Sequence, residues 1–132
     1  MYLIDTNICI YFMKNTYPGL TKRLLSCHPS ELAVSAISVY ELSNGAEKSK
    51  WGEKTRQQLA LFLAPFTILP FETGDAIAAG QIRAYLEQKG TPIGPYDLQI
   101  AAQGIARGLT VLTHNTDEFG RVPGLNVEDW VE

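Results

Sequence analysis

An α/β fold with a central, mainly parallel, short-stranded sheet flanked by helices is what this sequence predicts, on three observations. Short apolar runs recur along the chain, at Tyr2-Leu3-Ile4, Leu32-Ala33-Val34, Thr67-Ile68-Leu69 and Thr110-Val111-Leu112-Thr113. Between them lie longer segments with apolar residues at helical spacing, and strands alternating with helices pair in parallel through right-handed crossovers. Finally, 132 residues with 45% hydrophobic and 19% charged side chains is the make-up of one globular domain, here 1–132, able to bury a core without disulfides or a structural metal.

The elements follow in order. Asp5-Thr6-Asn7 stops the first strand and caps a helix from Ile8 to Lys14. A second helix runs from Pro18 to His28, separated from the first by Asn15 and the Pro18-Gly19 breaker. After the strand at Leu32, Ser38 and Glu41 fit a capping box that starts a helix through about Lys48. Another helix begins near Gly52 and is stopped by Pro65. Beyond the third strand, Ala76, Ile77, Ala79, Ile82, Tyr85 and Leu86 mark a helix from Thr73 to Lys89, ended by Gly90. Pro95 and Asp97 open a largely apolar helix that closes at Gly108. The clearest strand, from Thr110, leads into a polar turn with a short helix and a weak last strand near Asn126-Val127-Glu128.

A formal net charge of −3 gives no whole-chain attraction to phosphate. Nucleic-acid binding would then rest on a local basic rim, for which Lys22, Arg23, Arg83, Lys89 and Arg107 are the candidates, each also readable as an ordinary solvated helix residue. No membrane span is expected. The first residues carry neither a basic leader nor a long apolar stretch, and Cys9 and Cys27 share no metal-binding spacing. Buried thiols in a reducing cytoplasm are the expectation.

In parallel α/β sheets ligands bind beyond the carboxyl ends of the strands. Asp5 ends the first strand, Glu41 lies beyond the second, Asp97 opens the helix feeding the clearest strand, and Asn115 and Asp117 follow that strand. Gathered on one edge, these carboxylates would repel one another unless a cation neutralised them, and oxygen-only ligands favour Mg²⁺ or Mn²⁺ over zinc. Each acid also lies near a helix N-terminus, where capping accounts for it singly, and for Glu41 the spacing supports capping and catalysis equally. His28 and His114 lack ligand spacing and are assigned no catalytic role; among the aromatics only Tyr96, beside Asp97, is expected to face a substrate.

Leu3-Ile4-Asp5-Thr6-Asn7, Glu41-Leu42 with Gly45, Gly90-Thr91-Pro92-Ile93-Gly94-Pro95-Tyr96-Asp97 and Thr113-His114-Asn115, in this order, resemble the VapC toxins of the PIN-domain family over essentially the whole chain. The resemblance implies a PIN-like three-layer sandwich and a Mg²⁺-dependent endoribonuclease, with Mn²⁺ a possible substitute. It implies the toxin half of a toxin–antitoxin pair, held by a VapB-like antitoxin and expected as a homodimer. The implied substrate is RNA, with the anticodon region of tRNA, initiator tRNA first, as the expectation. Asp5, Glu41 and Asp97 match the family's three central acids, with Asp5 and Asp97 as metal ligands, and Thr6 matches the position that orients the first carboxylate. Many PIN domains carry a fourth acid where this chain has Asn115. Asp117 or Glu118 would then supply the missing charge, and the number of metal ions, one or two, stays open.

Two rival classes are carried alongside. A haloacid-dehalogenase-like phosphatase also places an Asp after its first strand, but follows it two residues later with another Asp, where this chain has Asn7. A receiver-like module would use the same acids only to hold a regulatory cation. The apolar helix surfaces around Ile8, Tyr11 and Phe12, and around Leu59, Phe62 and Leu63, suit either the core or a groove for an antitoxin helix.

Overall fold

Leu3 and Ile4, adjacent in the first strand, are both fully buried, which requires a sheet covered on both faces. A computed structural model describes residues 1–131 and shows how this is met; Glu132, the last residue of the expected 1–132 unit, lies outside the described residues. The order is β1 (Tyr2–Ile4), α1 (Thr6–Lys14), α2 (Pro18–Leu25), β2 (Leu32–Ser35), α3 (Ala36–Lys48), α4 (Gly52–Leu63), β3 (Thr67–Leu69), α5 (Thr73–Gln88), α6 (Pro95–Arg107), β4 (Thr110–Leu112), α7 (Thr116–Phe119) and β5 (Asn126–Glu128), with a short 3-10 turn at Pro29–Glu31 before β2. The five strands form one sheet in the order β3-β2-β1-β4-β5, and every pairing is parallel.

Register explains the layers. Leu3 stands opposite Ala33 and Val111, and Ile4 opposite Val34 and Leu112. Because strand side chains alternate between faces, the first trio joins the core under α5 and α6 and the second joins the core under α1 to α4. Cys9 is wholly buried in the second core, where burial, and then the charge of Asp5, pushes its thiol far above the ordinary range; Cys27 is only half-buried. No helix among the described residues is long and apolar enough to cross a membrane.

Most boundaries fall within two residues of the predicted ones, and two differences have a clear physical cause. The helix expected to reach His28 stops at Leu25, because His28 precedes Pro29 and is driven to an extended conformation, φ −69° and ψ 136°. The helix expected to start on a Ser38–Glu41 capping box begins at Ala36 instead, with Ser35 Oγ accepting from the Ile37 amide at 3.0 Å. Strand β2 passes into α3 without a loop, so its last residue is the cap, and Ser38 and Glu41 are left free for other partners.

α6 packs closely on β4. A Cβ on Gly104 would meet Leu125 Cδ1 at 2.8 Å and Val111 Cγ2 at 2.9 Å, and Gly108, in the left-handed conformation with φ 65°, closes the helix. Gly104→Val is therefore expected to cost about 2 kcal/mol through overpacking, read as a lowered urea midpoint. At its far end α6 is tied to α5: Arg107 donates to Asp75 at 2.9 and 3.3 Å and to the Pro70 carbonyl at 2.7 Å. Burial pushes the Asp75 carboxyl up, but the hydrogen bonds from Arg107 and the Glu72 amide and the Arg107 charge outweigh it, leaving Asp75 below its ordinary value. This pair contributes stability that is full above the unfolded-state value of about 4 and is lost as pH falls through the lower folded-state value, so acid unfolding should shift upward in Asp75→Asn.

Candidate active site

Asp5 is the pivot of the carboxyl edge of the sheet. It ends β1 and is 3% exposed. Its Oδ1 accepts from the Ile8 amide at 2.8 Å, capping α1, and its Oδ2 accepts from Thr113 Oγ1 at 2.6 Å at the end of β4. One side chain thus caps α1 through Oδ1 and ties the end of β1 to Thr113 through Oδ2. Burial raises its carboxyl above the ordinary value, against these hydrogen bonds, and the charge of Glu41 adds to the rise.

Thr6 follows Asp5 and faces α3. Its hydroxyl donates to Glu41 Oε1 at 2.7 Å and lies 2.8 Å from Ser38 Oγ. Glu41 is therefore aimed by the residue beside Asp5 and does not cap its own helix. Ser38, buried one turn before Glu41, is a positioning partner that its apparent place in a capping box concealed.

Asp97, in the first turn of α6, completes the trio. Burial raises its carboxyl to about 7, followed by proton sharing with Glu118 and by the charges of Glu118, Asp5 and Glu41. Glu118 is held below its ordinary value, chiefly by the same contact with Asp97, so Asp97 keeps the shared proton. Asn115 bridges the pair: Nδ2 donates to Glu118 Oε2 at 2.9 Å and more weakly to Asp97 Oδ2 at 3.5 Å. Its own backbone amide is fixed by Thr113 Oγ1 at 2.9 Å.

Asp117 is not brought to this group. It is exposed and paired with Arg121 at 2.9 Å, whereas the next residue, Glu118, supplies the fourth carboxylate. Asp117→Asn is accordingly expected to leave activity within twofold, and Glu118→Gln to lower it roughly 10–100-fold, measured as kcat/KM. Tyr96 lies on the rim, its hydroxyl donating to Tyr40 at 3.2 Å. That bond raises the Tyr96 phenol above its ordinary value, so it stays protonated at neutral pH.

The basic rim is sparser than the sequence suggests. Arg107 is committed to Asp75, Arg83 pairs with Glu87 at 3.4 Å, and Arg23 stacks on Trp130 at 3.9 Å. His114 bonds Asp129 at 3.0 Å.

Among the described residues, no three His, Cys, Asp or Glu side chains are already gathered closely enough to hold a metal ion. Each acid rests on a local donor instead: Asp5 on Thr113, Glu41 on Thr6, Glu118 on Asn115. The donor set nevertheless fits a hard divalent cation, because it is all oxygen and because the charges of Glu118, Asp5 and Glu41 all bear on the Asp97 carboxyl.

A parallel sheet of order β3-β2-β1-β4-β5, with Asp5, Glu41, Asp97 and Glu118 coming together beyond its carboxyl edge, makes this an α/β protein with an acidic cleft. The PIN domain profile matches residues 2–125. The tRNA(fMet)-specific endonuclease VapC of Salmonella typhimurium is 42% identical over 98% of this chain and 97% of its own. Ribonuclease VapC2 of Rickettsia felis is 37% identical, over 98% of each. Among solved structures, DNA-bound VapBC from Salmonella typhimurium superposes with a TM-score of 0.92 at 42% identity, covering 98% of this chain and 97% of that one. The chain belongs to the PIN-domain family, as a VapC-type member. PIN-domain nucleases are in general divalent-metal dependent.

Proposed function

We propose that this chain is the toxin of a VapBC-type pair: a Mg²⁺-dependent endoribonuclease that cuts tRNA in the anticodon region, initiator tRNA first, and is restrained by a VapB-like antitoxin. The observation that carries the reading is the gathering of Asp5, Glu41 and Asp97 at one sheet edge, where the charges of Asp5 and Glu41 raise the Asp97 carboxyl, in a family of metal-dependent nucleases. The relatives named above as a tRNA(fMet)-specific endonuclease and a ribonuclease support the substrate class.

Asp5 and Asp97 are assigned to hold the metal, with Glu118 and the Asn115 amide beside them in place of a fourth aspartate. When bound, a divalent cation neutralises the phosphate and acidifies water. Glu41, aimed by Thr6 through Oε1, orients the attacking water with Oε2 and takes its proton. Attack by water in line with the P–O3′ bond breaks that bond, and the departing 3′-oxygen takes a proton, leaving 5′-phosphate and 3′-hydroxyl ends.

The phosphatase alternative is disfavoured by Asn7, which stands where that class carries its second aspartate. The antitoxin is assigned to the apolar groove of about 650 Å³ between α1, α3 and α4, lined by Phe12, Leu42, Leu59 and Phe62. A cytoplasmic homodimer built from one PIN-like domain per chain completes the proposal.

The deciding experiment incubates antitoxin-free protein with total bacterial RNA and Mg²⁺, beside an EDTA control and Mn²⁺ in place of Mg²⁺. Discrete tRNA fragments with 5′-phosphates, absent in EDTA, are expected; intact RNA at high enzyme concentration would leave the receiver-like reading standing instead.

A further inference from the structure

Tyr40 and Tyr96 are large aromatic side chains left in water at the lip of the acid cleft, 54% and 38% exposed. Tyr40 precedes Glu41 on α3 and Tyr96 precedes Asp97 on α6, so the two helices that carry two of the three acids each add a tyrosine to the same rim. The rings meet edge to face, centroids 5.5 Å apart at 79°, and their hydroxyls are 3.2 Å apart. A perpendicular pair leaves at least one ring face uncovered by its partner. Core packing does not account for residues this exposed, and the mutual hydrogen bond holds the rings in one arrangement before any ligand arrives.

We infer that Tyr40 and Tyr96 form a stacking step for one unpaired base of the RNA substrate, next to the phosphate that is cut. This rests on the endoribonuclease reading and adds the residues that select single-stranded substrate. Two features favour a base as the occupant. The net charge of −3 gives no whole-chain attraction to the phosphate backbone, and Arg121, the arginine whose charge reaches Glu118 in the cleft, is paired with Asp117. Stacking supplies affinity without cations, and unpaired loop bases are the part of RNA that proteins take onto aromatic faces.

The test compares Tyr40→Ala, Tyr96→Ala and the two Phe variants by steady-state cleavage of a hairpin RNA carrying 2-aminopurine at each loop position in turn, with binding followed in EDTA by the probe's fluorescence. Wild type is expected to quench the probe at one loop position. Each Ala variant should lose that quenching and raise KM about tenfold with kcat within twofold, while the Phe variants stay within about twofold of wild type. Ala variants that keep wild-type KM and quenching would overturn the inference. So would Phe variants that lose kcat as fully as the Ala ones, which would assign the hydroxyls to chemistry, or a changed oligomeric state at unchanged KM, which would assign the rings to a second copy of the chain. If wild type cuts no RNA, the endoribonuclease reading falls and this inference with it; if wild type and the Ala variants cut alike, only this inference falls.

Discussion

Asp5→Asn is expected to reduce RNA cleavage about 10³-fold while leaving the melting temperature unchanged or higher. The first half follows from position: Asp5 is the buried carboxylate that joins the end of β1 to Thr113, just past β4, and interacts with both Glu41 and Asp97. The second half follows from the raised Asp5 carboxyl, since a group whose ionisation is opposed by burial weakens the folded state when charged. Asparagine keeps the shape and an oxygen for the Ile8 amide, and its NH₂ can donate to the Thr113 hydroxyl, which offers lone pairs in place of its proton. Cleavage kinetics and a thermal melt of the same preparation check both halves. A variant that cuts as well as wild type would falsify the site, and one that fails to fold would make Asp5 a structural cap first.

The dual nature of Asp5 also marks the limit of what its sequence could tell. Its place after three strand residues, and the rule that sites form at strand carboxyl ends, were enough to locate the edge. The parallel sheet was legible in the alternation of short apolar runs with helical segments, and the full burial of Leu3-Ile4 and Val111-Leu112 is what a sheet covered on both faces requires. Side-chain direction within the site was not legible. Ser35 and Ser38 both offer a hydroxyl near the start of α3, and the choice of Ser35 as cap depends on how abruptly β2 turns, a tertiary property. Asp117 and Glu118 differ by one position on a single-turn helix, about 100° of rotation, which sends one to Arg121 and the other to Asn115. Arg107 reads as a free cation until α5 brings Asp75 beneath it. Tyr40 carries no spacing signal; only the approach of α3 to α6 places it against Tyr96.

The Asp97–Glu118 pair leads to the other large effect, on pH. With the Asp97 carboxyl raised to about 7, the metal-free folded protein holds a proton there that the unfolded chain releases near pH 4. Between these values the folded state binds more protons than the unfolded one, so the metal-free stability contributed by this group declines as pH rises from about 4 to 7, opposite to the Asp75 pair. Asp97→Asn should flatten that decline, measured by urea unfolding in EDTA across the window. A cation held by Asp5 and Asp97 must displace the Asp97 proton and whatever proton the buried Asp5 carries, so Mg²⁺ affinity is expected to rise at least tenfold per pH unit as pH approaches about 7. Calorimetric titrations in buffers of different ionisation heat should register at least one proton released per ion bound at pH 6 and fewer at pH 8. A pH-independent affinity would place the ion elsewhere than on Asp97. A steep dependence that survives in Glu118→Gln would show that burial alone, the largest contribution to the raised carboxyl, is sufficient to hold the proton without its neighbour.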